Sequence, residues 1–168
     1  MTIRQEQPQD FARVYELVKV AFGTAQVSNG DEQNYVNRIR AGEAYLADLA
    51  LVAEEDEELV GHIILSRTII KAEDREFPTL HLGPISVVLE RRCQGIGSRL
   101  MKEALRRARA AGHPSVVLVG DPAYYRRFGF RTSTEFGIGN DLGIPDEYAM
   151  ALELQPGALE CVSGNIVF

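Results

Sequence analysis

Apolar residues recur every three or four positions in two segments near the beginning of the chain, which is the spacing of an amphipathic helix. The first segment starts after Pro8 and ends near Gly23, and the second runs from Asp31 to Ala41. A short strand from Thr2 to Gln7 precedes them, where Ile3 is apolar among polar neighbours. The pattern therefore predicts one strand followed by two helices.

Three apolar runs in the middle of the chain have the composition of β-strands. Two of them, Tyr45 to Glu54 and Leu59 to Thr68, are separated by four consecutive acidic residues, which indicates a hairpin. Gly61 in the second run marks a bulge or a close approach of backbone. The third run, Leu82 to Leu89, contains Pro84, and since proline cannot donate to a sheet ladder, we expect a bulge or an unpaired edge there.

The second half of the chain continues the alternation of helix and strand. An amphipathic helix follows Gly97 and ends at Gly112, and the continuous apolar run within Ser115 to Val119 is typical of a central strand. Asp121 as N-cap and Pro122 at the first helical position then predict a short helix. The element order indicates an α/β (α+β) fold.

Composition and charge narrow the class of protein. The length of 168 residues suits a single domain, 1–168, and the net charge of −6 argues against a nucleic-acid partner. No apolar run is long enough to span a membrane and no signal-peptide core is present, so we expect a cytoplasmic protein without a membrane partner. Cys93 and Cys161 lack metal-ligand spacing, so we expect free thiols and no metal.

The segment 92–98, Arg-Cys-Gln-Gly-Ile-Gly-Ser, carries the clearest candidate chemistry. Its glycines lie two apart where a helix begins, so exposed backbone amides and the helix dipole favour binding of a diphosphate. Arg92 adds a positive charge at the entrance. The simpler interpretation is a tight connection between strand and helix. A dinucleotide-binding fold would require a third glycine at position 100, and no Walker Gly-Lys-Ser/Thr sequence occurs.

Two linked motifs carry a resemblance to a known family. The pattern Arg-x-x-Gly-x-Gly at 92–97, after a strand that contains Val87, resembles the acyl-CoA loop of GNAT-superfamily N-acetyltransferases. The pattern Tyr-x-x-x-Gly-Phe at 125–130 follows with the order and spacing of that superfamily's second signature. The segment Gly-Asp-Pro-x-Tyr-Tyr-x-Arg-Phe-Gly-Phe at 120–130 resembles a bacterial subgroup, although Leu118 and Asp121 stand where the superfamily commonly has asparagine and alanine.

The resemblance implies a fold and a co-substrate. We expect a central mixed, mostly antiparallel sheet, with a splayed pair formed by the strand through Val87 and the strand Ser115 to Val119, flanked by helices. Residues 154–168 resemble the subgroup's C-terminal extension. Acetyl-CoA is the implied co-substrate, with pantetheine against the first of these strands and the pyrophosphate on the glycine loop. The candidate cofactor-binding residues are Ile85, Ser86, Val87, Val88, Arg92, Cys93, Gln94, Gly95, Ile96, Gly97 and Ser98.

The resemblance also implies catalytic candidates. Tyr125 matches the tyrosine that protonates the departing thiolate, and its spacing to Gly129 places it ahead of Tyr124. No general base is evident from the sequence. His81, which titrates near neutrality, is one candidate. A water chain is another, and so are three carboxylates, Glu32, Glu54 and Glu90.

Two functions fit these features. The first is an N-acetyltransferase that moves acetyl from acetyl-CoA to a primary amine, by direct transfer in a ternary complex. The alternative is a non-catalytic acyl-CoA-binding module, although retention of Tyr125 favours catalysis. The acceptor, a small molecule or a protein, and the assembly, a monomer or a homodimer, are left open.

Overall fold

The computed structural model describes residues 1–25 and 28–168. The helices are α1 (Phe11–Phe22), α2 (Glu32–Ala41), α3 (Ile96–Ala110) and α4 (Pro122–Tyr125). The strands are β1 (Thr2–Gln5), β2 (Tyr45–Glu55), β3 (Glu58–Lys71), β4 (Glu76–Val87), β5 (Ser115–Val119), β6 (Arg131–Thr132), β7 (Ile138–Asn140), β8 (Ala149–Glu153) and β9 (Gly164–Ile166). None of the helices in this described part is long and apolar enough to cross a bilayer.

The chain forms two compact units, and β3 and β4 run through both. The first unit contains Met1–Ser66 and Gly83–Arg107, and the second contains Arg67–Leu82 and Ala108–Phe168. The prediction of a single domain over 1–168 stays a prediction.

In the first unit, β1, β2 and β3 pair antiparallel. Adjacent residues of β2, among them Leu51 and Val52, are fully buried, so both faces of this strand are covered. One face packs against the apolar stripes of α1 and α2, and Val14, Val18 and Val36 are all 0% exposed there. The helices predicted from periodicity are confirmed, because their apolar stripes are the faces that the sheet buries.

The second unit is built around β5. This strand pairs parallel with β4 at Leu80–Val116 and His81–Val117, and antiparallel with β8 along its whole length. β6 pairs antiparallel with the other edge of β8, while β9 pairs with β7 and with the end of β3. The predicted mixed, mostly antiparallel sheet with flanking helices is confirmed.

Local sequence signals explain several boundaries. The predicted hairpin joins β2 to β3 with Glu55 opposite Glu58, and its two turn residues, Asp56 and Glu57, have φ angles of 50° and 66°. Positive φ at both turn residues matches the twist of the flanking strands. Asp121 caps α4 as predicted, since its Oδ1 accepts a hydrogen bond from the Ala123 amide at 2.9 Å.

Several strands extend or depart from the sequence prediction. β4 begins at Glu76, well before the apolar run that marked it, because its first residues mix charged, aromatic and proline side chains. β6, β7 and β9 were not predicted. Each has two or three residues, which is too short for a readable period.

Candidate functional site

The glycine loop lies in the first unit, between β4 and α3. Cys93, Gln94 and Gly95 are exposed, whereas Ile96 is only 3% exposed and anchors the start of the helix. Cys93 and Gly95 have φ angles of 60° and 80°, and a Cβ on Gly95 would meet no atom within 4 Å. The loop is therefore an open turn on the surface, held by one buried side chain.

The first turn of α3 presents backbone amides that have no place in the helical ladder. The first hydrogen bond of the helical ladder runs from the Arg99 amide to the Gly95 carbonyl, at 3.0 Å. The amides of Ile96, Gly97 and Ser98 come before it, so they have no carbonyl acceptor within the helix. Amides in this position, at the positive end of a helix dipole, suit a phosphate or diphosphate. The exposed turn and the helix start predicted from the sequence are present in this loop, and diphosphate binding there stays a prediction.

Arg92 makes contacts that the sequence did not reveal. Its Nη2 donates to the Ala21 carbonyl at 2.7 Å and its Nη1 donates to the Thr24 hydroxyl at 3.0 Å. The guanidinium thus satisfies a carbonyl in the last turn of α1, where the helix dipole favours a cation. Its contact with a pyrophosphate stays a prediction.

The end of β4 and the residue after it, Ile85 to Val88, carry the other cofactor candidates. The Val88 amide donates to the Val60 carbonyl at 3.0 Å, which ties this end of the strand to β3. Ser86 is 3% exposed, and its hydroxyl has no hydrogen-bond partner in the described part of the chain. A buried hydroxyl without a partner is costly, so Ser86 calls for an explanation.

Tyr125 lies in the second unit, at the end of α4. Its ring makes edge contacts with Tyr124 and Phe130 at centroid distances of 5.0 and 5.9 Å. Gly120 makes room for it, because a Cβ there would lie 2.3 Å from Tyr125 Cε2. Burial, and then the neighbouring Tyr124 and Asp121, raise the pKa of the phenol, so Tyr125 keeps its proton at neutral pH.

His81 also lies in the second unit, on β4. Its ring packs edge-on against Phe168 with centroids 5.0 Å apart. Burial lowers the pKa of the imidazole to about 4, so His81 is neutral at pH 7 but a weak base. Its role as the general base stays a prediction.

The three carboxylates kept as alternatives differ in their surroundings. Glu54 accepts two hydrogen bonds from Arg4, at 2.5 and 3.1 Å. Glu32 is bonded to the Ser28 hydroxyl and the Asn29 amide, as part of the entry to α2. Glu90 is exposed in the turn after β4. Two of the three therefore already have structural partners.

Sequence reasoning missed a buried polar cluster in the first unit. Glu6 accepts hydrogen bonds from Arg40 at 2.5 and 3.0 Å, from the Tyr45 hydroxyl at 3.1 Å, and contacts His62 Nε2 at 3.2 Å. The side chains of Glu6 and His62 are 0% exposed and that of Arg40 is 6% exposed. The available signal was His62, a polar residue inside the apolar run of β3.

Comparisons with known proteins agree on one family. A family model described as an acetyltransferase (GNAT) domain matches residues 2–133. YhbS of Escherichia coli K12, described as an uncharacterized N-acetyltransferase, is 32% identical over 139 residues, which cover 82% of this chain and 78% of YhbS. YjhQ of the same organism, described likewise, is 29% identical over 145 residues, covering 86% of this chain and 74% of YjhQ.

Two solved structures resemble the whole chain. A GNAT family acetyltransferase from Brucella melitensis, in complex with acetyl-CoA, is 35% identical with a TM-score of 0.81, covering 99% of this chain and 94% of its own. E. coli YhbS in complex with CoA is 25% identical with a TM-score of 0.85, covering 98% of this chain and 87% of its own.

Proposed function

Because this chain belongs to the GNAT family of acetyltransferases, we propose that it transfers the acetyl group of acetyl-CoA to a primary amine, directly within a ternary complex. The observation that carries the proposal is the exposed loop that leads into the first turn of α3. Its free amides and the open space beside Gly95 fit a diphosphate. The complexes of the Brucella enzyme with acetyl-CoA and of YhbS with CoA support the same ligand here.

The reaction needs few covalent steps from the protein. The amine nitrogen attacks the thioester carbonyl, the C–N bond forms, the C–S bond breaks, and the ammonium proton must leave. In our proposal the backbone of Ile85 to Val88 holds pantetheine and polarises the carbonyl, and the loop from Arg92 to Ser98 holds the pyrophosphate. Tyr125 gives its proton to the departing sulfur. The raised pKa of its phenol supports this role, because the proton is present at neutral pH.

Calorimetry with acetyl-CoA tests the loop. Gly97→Val puts a branched side chain in the first turn of α3, where the diphosphate would approach the backbone, and should weaken acetyl-CoA binding at least about tenfold, or about 1.4 kcal/mol. Ala110→Val is the matched control, because it adds the same side chain at the exposed far end of that helix. Unchanged affinity in a folded Gly97→Val protein would contradict the site.

The second candidate function is an acyl-CoA-binding module without turnover. It would show the same calorimetry but no acetylated product with any amine. The neutral, partly buried Tyr125 favours the enzyme, since a pure binder has no need of a proton donor.

The remaining expectations are proposals of the same kind. We propose one acetyltransferase domain over 1–168, with 154–168 as its C-terminal extension. A cytoplasmic location, a monomer or homodimer, and a small-molecule or protein amine as acceptor stay predictions.

A further inference from the structure

The buried cluster around Glu6 fixes the protonation of His62. Burial opposes a charge on Glu6, but hydrogen bonds from His62 and Arg40 outweigh it and lower the pKa of the carboxyl to about 2. An ionised carboxylate only accepts hydrogen bonds, so the contact of 3.2 Å requires His62 to carry its proton on Nε2. Burial also lowers the pKa of the imidazole, which favours this neutral ring.

The other ring nitrogen of His62, Nδ1, then carries no proton and presents its lone pair as an acceptor. Within the described residues, His62 Nδ1 is buried and has no hydrogen-bond partner. A carboxylate that orients an imidazole through one nitrogen and leaves the other as a base is the arrangement of a histidine general base. Glu6 and His62 supply both parts of that arrangement.

Ser86 lies on the strand beside His62 and is a candidate partner for this base. β3 and β4 are neighbours in the sheet and are joined by a short turn, so they run antiparallel. From the hydrogen bond between Val88 and Val60, two residues along each strand lead to Ser86 and His62, which the antiparallel register sets opposite one another. A second contact agrees, since a Cβ on Gly61 would lie 3.1 Å from the Ser86 carbonyl oxygen.

Opposite residues of an antiparallel pair point to the same face of the sheet. Two of the buried polar atoms that lack partners, Ser86 Oγ and His62 Nδ1, therefore belong to side chains on one face of neighbouring strands. One is a donor and the other an acceptor, so a bridging water would satisfy both groups at once. Ser86 also belongs to the strand to which the proposed function assigns pantetheine.

We propose that Ser86 and His62 form a proton relay for the acetyl transfer, with Glu6 holding the imidazole ring. The inference rests on the proposed function and names a general base, which the mechanism described above does not assign. As the amine nitrogen bonds to the thioester carbon, its proton passes to Ser86 Oγ while the Ser86 hydroxyl proton passes to His62 Nδ1. The C–S bond breaks and the thiolate takes its proton from Tyr125. Afterwards the His62 imidazolium releases one proton to solvent and the Tyr125 phenolate takes one up, which restores both groups. Glu6 faces the charged ring, together with the cation of Arg40 and the hydroxyl of Tyr45.

Ser86→Ala separates a relay from a structural residue. If the hydroxyl has only a structural place, removing a buried group without a partner should be neutral or stabilising. The relay instead predicts that the variant folds normally, binds acetyl-CoA with unchanged affinity because the strand contacts are backbone, and loses about a hundredfold in kcat. Ser133→Ala is the matched control, since its hydroxyl is also buried without a partner but lies in the second unit.

His62→Gln tests the base while keeping a donor for Glu6. The glutamine amide can replace the Nε2–H group, but it has no titratable nitrogen in place of Nδ1. With an amine found by thiol release from a panel of primary amines, the wild-type rate should fall in acid as Nδ1 becomes protonated. The His62→Gln variant should be slow at every pH, and its rate should not show this fall at low pH, the acid limb of the pH–rate profile. Wild-type rates in Ser86→Ala, or an unchanged acid limb in His62→Gln, would overturn the relay.

The outcomes distinguish the relay from the function on which it rests. A wild-type protein that neither binds acetyl-CoA nor releases CoA with any amine removes the proposed function and the relay with it. Normal turnover in both variants removes only the relay. Nitrogen-15 NMR of the wild-type histidines checks the same geometry without an acceptor: a proton on His62 Nε2 at pH 7 is expected, and a proton on Nδ1 would overturn the relay.

Discussion

Gly61 lies under the start of α3, and a single methyl group there should disturb the helix that carries the glycine loop. A Cβ at this position would lie 2.8 Å from Leu100 Cδ1 and 3.1 Å from both Ile96 Cγ2 and the Ser86 carbonyl oxygen. Leu100 and Ile96 are 0% and 3% exposed, so neither side chain has room to retreat. Of the two alternatives predicted for Gly61, the bulge is confirmed, because the register of β2 and β3 shifts between the pairs Ala53–Gly61 and Glu54–Leu59. The side chains of Leu100 and Ile96 from α3 pack over it.

The expected cost follows from two opposing effects. Overpacking a closed core costs about 1–3 kcal/mol, whereas alanine in place of glycine gains about 0.4–1 kcal/mol by restricting the unfolded chain. Gly61→Ala should therefore lower the free energy of unfolding by about 1–2 kcal/mol. It should also weaken acetyl-CoA binding, because the first turn of α3 must shift.

A double-mutant cycle in urea provides the assay. Leu100→Ala alone should cost about 2–5 kcal/mol, but it removes the methyl group that the new Cβ would meet. In that background Gly61→Ala should be nearly neutral, which gives a coupling energy of about 1–2 kcal/mol between the two sites. An equal cost of Gly61→Ala in both backgrounds, or a stabilised single variant, would refute this packing.

The remaining candidates give three tests. Tyr125→Phe should lower turnover about 10²- to 10⁴-fold with acetyl-CoA affinity unchanged, whereas Tyr124→Phe should change little, and a loss confined to Tyr124→Phe would move the acid by one residue. Acetyl-CoA should slow alkylation of the exposed Cys93 but not of the exposed Cys161, and equal rates with and without acetyl-CoA would contradict binding at the loop. The folded pKa of His81 is lowered from 6.5 to about 4, so the unfolded chain binds this proton first as the pH falls. The free energy of unfolding should therefore drop by at most about 3 kcal/mol between pH 6.5 and 4, and it should drop less in His81→Gln. The same dependence on pH in that variant would exclude His81 as the cause.

Elements with a local physical cause were predictable from the sequence. The helices follow from stripes that the sheet buries, and α4 follows from the cap at Asp121 and the proline at Pro122. The glycine loop was predictable for the same reason, since both its turn and its exposed amides follow from residues within the segment.

Features that depend on distant partners were not predictable. Glu6, Arg40 and His62 lie far apart in the sequence, and only the packing of α2 against the sheet brings them together. Arg92 likewise looked like a free cation until the fold placed it against the last turn of α1. The short strands β7 and β9 depend on pairing with each other and, for β9, with β3.

The most direct measurement of the central claim is the reaction itself. Purified protein is mixed with acetyl-CoA and a panel of primary amines, from small amines to lysine-containing peptides. Released thiol and the mass of the amine product are then followed together. We predict amine-dependent release of CoA matched by one acetyl group on the product, and its loss in Gly97→Val. Tight binding of acetyl-CoA without acetylation of any amine would contradict the enzyme and leave the binding module.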